Sequence, residues 1–247
     1  MLHTLRRARL HAQATPSLDA LVQSHIGLHS TDYATPYLSA LARVPGFDPV
    51  GLFQRLQSGD GLVRMNAFRN TVHVVHANDA GLVCAATGAA IEKVGRRIPS
   101  LKALSDAAID RGVARICDAL QAGPQPNNAL KAAVPDLPDL RYWLYVAMGR
   151  GLVVRADTPH ARSNRTRYAL ASQWLPFERP DPVDARRELL LRAVQAFGPV
   201  TVDDLSWWLP APKREVLQVL AQAGPDYESV AGDGVAHWFH TGLLDTD

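Results

Sequence analysis

Four consecutive residues, His29-Ser30-Thr31-Asp32, place an imidazole, two hydroxyls and a carboxylate inside the stretch HIGLHSTDYATPYLSALAR, residues 25–43. The apolar pattern stops at Leu28 and resumes at Tyr37 and Leu38, so this polar knot falls where one helix gives way to the next. An imidazole in the open titrates near pH ~6.5, which suits His29 to general base work. A hydroxyl at Thr31 suits the holding of a water molecule. The Asp32 carboxylate suits orientation, or electrostatic support of a developing positive charge. Together these groups describe a hydrolytic centre. They equally describe a capped turn, with Thr31 or Asp32 as N-cap of the helix through Tyr37 to Arg43 and His29 packed at a helix end. The residues alone leave both open.

A second group lies in MNAFRNTVHVV, residues 65–75. Arg69, Thr71 and His73 are two apart, so on one strand they project from one face and border a pocket for a polar ligand, or a half-buried sheet surface. His73 and His76 have no further His or Cys at ligand spacing, which argues against a metal site. A third group is basic. Between Arg141 and Arg167 there are six arginines (141, 150, 155, 162, 165 and 167) against one acid, Asp157. The arm from Asp157 to Arg167 interleaves Arg162, Arg165 and Arg167 with Ser163, Asn164 and Thr166, a mixture suited to phosphate contact or to a solvated hairpin loop. Arg6, Arg7 and Arg9 are a weaker signal of the same kind. From Ala223 onward there are five acids and no Lys or Arg, so charge is divided between faces.

The elements that position these groups follow one layout: two or three helices, then a short two-stranded unit. SLDALVQSHIG, TPYLSALAR and DPVGLFQRLQ read as helices, the last started by Asp48-Pro49. LVRMNAF and TVHVVH read as strands. Asn78-Asp79 is placed as the cap of a helix through about Val94, and another helix spans about Leu101 to Leu120. NNALKAAV and LRYWLYVAMGRG precede the strands LVVRA and TRYALAS, which flank the basic arm. After the linker PFERPDP come DARRELLLRAVQAFG, TVDDLSWWL and PKREVLQVLAQAG, then a hairpin around Gly232-Asp233-Gly234. The fold class expected is mainly α with short β-hairpins, about three tandem winged helix-turn-helix units. The expected boundaries are 1–122, 123–177 and 178–247.

Composition is that of a folded soluble chain, 47% hydrophobic and 20% charged with a net charge of +2 over 247 residues. Bulk charge does not announce a nucleic-acid binder. Cys84 and Cys117 form no framework, no apolar run approaches the ~20 residues of a membrane span, and the N-terminus lacks a secretory apolar region. A cytoplasmic protein without membrane association is expected.

Read in order, RRARLHAQ, IGLHSTD, RNTVHVV, GRGLVVRA…RYAL…WLP and AFGPVTVDDLSWW resemble the winged-helix DNA-binding family of the AlkZ-type DNA glycosylases, from about Leu5 to Leu209. The resemblance implies tandem winged helices around a channel of duplex width and excision of alkylated purines, interstrand crosslinks included. It implies double-stranded DNA as partner and no metal; a monomer without a cofactor is expected. It implies that His29 activates or orients water, Thr31 holds it and Asp32 supports an oxocarbenium-like sugar. Arg69, Thr71, His73, Arg155, Arg162, Arg165 and Arg167 would meet the DNA. The family carries Gln-x-Gln where this chain has His29 and Thr31. Members usually continue into a C-terminal β-rich domain, whereas this chain ends at Asp247, just past the third wing. A non-catalytic winged-helix DNA binder or regulator, or a truncated inactive member, is the alternative.

Overall fold

The computed structural model describes residues 17–156, 158–160, 163 and 165–243. Arg6, Arg7, Arg9, Asp157, Arg162 and Asn164 lie outside the described residues. The described chain is mainly helical with two small antiparallel sheets.

Three helices open it: α1 (Leu18–Ser24), α2 (Thr35–Leu41) and α3 (Pro49–Ser58). The Ser17 side chain accepts from the Ala20 N–H at the start of α1. Asp48 accepts from Val50 at the start of α3, with Pro49 at the first helical position, as the sequence suggested. Leu21, Val22, Ala40 and Leu52 from these helices pack with Leu28, Leu62 and Val74 into one apolar cluster.

Strands β1 (Leu28–His29), β2 (Leu62–Asn66), β3 (Val72–His76), β4 (Gln125–Pro126), β5 (Val153–Arg155) and β6 (Arg167–Leu170) form one sheet in the order β1-β3-β2-β5-β6-β4. The first two hairpins are therefore joined edge to edge in one sheet. β2 pairs with β5 at Arg64↔Arg155, which gives the open edge of each hairpin a partner.

Behind the sheet runs α4 (Ala77–Gly95), whose face is buried almost throughout. The expected cap at Asn78-Asp79 is displaced by two residues. His76 is the N-cap, its Nδ1 accepting from Asn78 N–H at 3.2 Å, and Asp79 is instead buried and paired with Arg192 at 2.7 Å. The helix expected over Leu101 to Leu120 is two: α5 (Pro99–Lys102) and α6 (Asp106–Ala119). Ser105 caps the second through the Ala108 N–H. Then follow α7 (Asn127–Ala133) and α8 (Leu140–Gly149). A Cβ on Gly88 of α4 would stand 2.1 Å from the Gly149 carbonyl oxygen of α8, so these backbones meet without intervening side chains.

After α9 (Ala171–Trp174), the C-terminal part holds α10 (Pro182–Phe197), α11 (Val202–Trp208) and α12 (Lys213–Ala221). Thr201 and Asp204 close a capping box on α11. β7 (Tyr227–Gly232) and β8 (Val235–His240) pair through a two-residue turn. Asp233 and Gly234, at φ 51° and 79°, supply the left-handed conformations that such a hairpin needs. Among the described residues no helix is long and apolar enough to cross a membrane.

Candidate active site

β1 is two residues long, yet its ladder runs on into the polar knot. Ser30 N–H donates to Val72 O at 2.7 Å, and Val72 N–H donates to the Thr31 hydroxyl oxygen at 3.1 Å. Strand alternation therefore persists through residues 29–31. Ser30 is 1% exposed, whereas His29 and Thr31 on either side of it are exposed. Both Ser30 oxygens accept from the buried Arg64: Oγ from Nε at 3.1 Å, the carbonyl from Nη2 at 2.9 Å. The middle residue anchors the knot while its neighbours face solvent.

The helix-cap reading of the knot does not hold. α2 starts at Thr35 behind Ala34, which makes no side-chain cap bond. The Asp32 carboxylate accepts from Ala34 N–H at 2.9 Å in an Asx turn, and the Thr31 hydroxyl belongs to the sheet edge. Asp32 also forms the lip of an open groove of about 560 Å³ walled by Tyr33, Tyr37, Leu38, Pro49, Val50 and Phe53.

Arg69, Thr71 and His73 do not share a strand face. Arg69 and Asn70 take left-handed conformations, φ 53° and 60°, in a tight turn over Phe68–Asn70, and β3 begins only at Val72. The Thr71 hydroxyl is spent on that turn, donating to Phe68 O at 2.8 Å. The turn throws Arg69 outward, where its guanidinium lies 3.7 Å from the centre of the exposed Trp207 ring of α11. Beneath it, aromatic rings follow one another. His29 meets His73 edge-on at 5.4 Å, His73 meets Phe68 at 5.2 Å, and Phe68 stacks on Trp208 at 4.2 Å.

Burial pushes the His73 imidazole down to about 4, and the nearby His29 and Arg69 act in the same direction, against a weak contact to Thr71 O. His73 is thus neutral in the folded state over a range where the unfolded chain, near pH ~6.5, takes up a proton. Its contribution to stability is lost as pH falls from about 6.5 towards 4. We expect native protein to lose on the order of 2 kcal/mol more than His73→Phe between pH 7 and pH 4. Urea melts at both pH values decide this, and parallel losses would refute it.

The basic residues separate into two settings. Arg155 on β5 donates from Nε to Asn66 Oδ1 at 3.0 Å, and Asn66 donates from Nδ2 to Asn70 O at 3.2 Å, which ties β5 to the tip bearing Arg69. Arg165 is exposed and Arg167 is half-buried on β6. Arg162 lies outside the described residues. The arm is rooted at Thr158, whose N–H donates to Gln57 Oε1 at 3.0 Å and whose hydroxyl bonds the Tyr33 hydroxyl. Arg64, Tyr33 and Trp207 were not singled out from sequence as site residues. The Trp207-Trp208 pair was the available signal for the last, and a charged residue inside the apolar run LVRMN for the first. Among the described residues no three His, Cys, Asp or Glu side chains gather as a metal site.

None of the curated proteins matches the chain in sequence. Among solved structures it is similar to the Streptomyces sahachiroi DNA glycosylase AlkZ, with a TM-score of 0.80 at 17% identity over 99% of this chain and 70% of that one. That likeness is one of fold. The model of the AlkZ-like DNA glycosylases matches residues 22–246, which takes in the knot, the Arg69 tip, the basic arm and the tryptophan pair, and the chain belongs to that family.

Proposed function

We propose that this protein is a monofunctional DNA glycosylase that hydrolyses the N-glycosidic bond of alkylated purines in duplex DNA, held on a frame of tandem winged-helix units. The observation that carries this reading is the alternation at the knot, where a buried Ser30 leaves His29 and Thr31 together in solvent. His29 takes the proton from the attacking water. Thr31, its oxygen already fixed by the Val72 N–H, has its own O–H left to donate and so holds that water. The new bond forms from water oxygen to C1′ of the sugar, while the C1′–N pair of electrons leaves with the purine. An alkylated purine carries positive charge and departs neutral, so no acid need protonate it. Asp32, with one carboxylate oxygen committed to Ala34 N–H, faces the oxocarbenium-like sugar with the other.

Arg69, Arg155, Arg165, Arg167 and Arg162 meet the phosphates, while Thr71 and His73 shape the tip that carries Arg69. We expect Arg69→Ala and Arg165→Ala each to weaken duplex binding equally on damaged and undamaged DNA. Each should reduce the slope of log affinity against log salt by about one. An unchanged slope would remove that arginine from the phosphate contacts.

One observation favours a non-catalytic DNA-binding role instead: the Thr31 hydroxyl completes the sheet edge by accepting from Val72 N–H. Release of free base from duplex DNA carrying N7-alkylguanine separates the two. Release by the native protein supports the glycosylase, and binding without release supports the alternative.

A further inference from the structure

Arg64 stands on β2 behind the knot. Its partner across β3 is Val74, and the register places it on the sheet face opposite His29, Met65 and His73. It is 7% exposed. Among the described residues no carboxylate pairs with it, and its Nη1 is buried without a hydrogen-bond partner. Its guanidinium carbon lies 4.8 Å from the centre of the Tyr33 ring, in a space shared with Phe53, Leu56, Gln57 and Thr158. Burial and the neighbouring Arg155 both work against the charge, yet a guanidinium does not shed its proton in a protein.

Such a residue is costly. An unpaired buried charge is unfavourable by several kcal/mol, and all five residues of β2 are buried, so a Leu or Met would suit this position better for stability alone. What Arg64 supplies and an apolar residue cannot is a two-point grip on one residue. Its Nε and Nη2 reach Ser30 Oγ and Ser30 O, at 3.1 and 2.9 Å. A planar fork of this kind fixes direction as well as distance. Ser30 N–H is already given to Val72, so every polar group of Ser30 is held.

We propose that Arg64 is the positioning residue of this site: its grip on Ser30 fixes the backbone between His29 and Thr31 and so sets the line along which they hold water. This rests on His29 and Thr31 being the hydrolytic pair. Arg64 touches no reacting atom. Its second contact extends the frame, since Tyr33, which it covers, bonds Thr158 at the root of the basic arm.

The test compares native protein with Arg64→Met and Arg64→Lys in three measurements. These are single-turnover base release from N7-alkylguanine duplex, affinity for that duplex, and the ring NMR signals of His29, assigned by their absence in His29→Ala. Arg64→Met is expected to slow release by about 10- to 100-fold, since small misplacements of a reacting group cost that much, with affinity within about twofold. It should also move the His29 ring signals and leave those of the distant His240 in place. Arg64→Lys, which keeps the charge and loses the fork, should fall between. Rates within about twofold of native, with His29 signals unmoved, would overturn the proposal. If Arg64→Met does not fold, Arg64→Lys decides by the same two readings. If the native protein releases no base, the glycosylase reading fails, and the His29 signals alone decide Arg64: displaced signals keep its positioning role and unmoved ones remove it.

Discussion

His29→Ala should slow base release from alkylated duplex by about 10²- to 10⁴-fold while affinity for the same DNA stays within about twofold. The size follows from the role. Positioned proton transfer is worth about 3–5 kcal/mol of transition-state stabilisation, and His29 is the imidazole that the knot presents to solvent. The ring is exposed and meets His73 only edge-on, so its loss leaves no sealed cavity. Stability should change by less than about 1 kcal/mol, which lets the kinetic effect be read without a folding correction. His29→Gln is the instructive companion. A glutamine orients water without taking its proton, so it should retain more activity than alanine and lose the dependence on an imidazole's charge state. Equal rates for native protein and His29→Ala would move the chemistry away from the knot altogether.

The second large effect is on stability. Phe68→Ala should cost about 3–5 kcal/mol in denaturant unfolding, the range for deleting a buried ring that its surroundings cannot refill. Phe68 is 4% exposed, stacks on Trp208 at 4.2 Å and meets His73 edge-on at 5.2 Å. It joins the N-terminal sheet to α11 from the far end of the chain, so its removal loosens two elements at once. The variant should also let water reach His73, whose imidazole then returns towards its ordinary value, and the acid sensitivity described above should shrink. A loss below about 1 kcal/mol would mean that the tip is not seated on α11 as the rings indicate.

What could be read from the chain beforehand was mostly what short-range chemistry decides. Asp48-Pro49 starts α3, TVDDLSWWL forms a short helix, and Gly232-Asp233-Gly234 turns the last hairpin. The composition of the knot and of the arm was equally plain. Pairings distant in sequence were hidden. Nothing local to LVRMN or LVVRA announces that Arg64 and Arg155 face each other across one sheet. The alternation of Arg69, Thr71 and His73 misled because two successive residues, Arg69 and Asn70, take left-handed backbone, which breaks the period on which the reading depended. His76 concealed its role for a different reason. Histidine is an unusual N-cap, and the stronger capping types at Asn78 and Asp79 lay two residues further on. In the knot, Ser30, given no role of its own from sequence, is the residue that the buried Arg64 grips.

The stack of Phe68 on Trp208, and of Arg69 on Trp207, has a consequence for the order in which the protein is made. The turn over Phe68–Asn70 leaves the ribosome early, but the rings that seat it lie more than half the chain downstream. Until α11 has been synthesised and has docked, the early hairpin can pair its strands yet lacks the surface that holds Arg69 outward and encloses His73. Domains form as their residues emerge, at about 5–20 residues per second, so completion of this tip trails the hairpin by many seconds. A nascent chain in that interval carries the knot without its full setting, and competence arrives with the last third of the polypeptide.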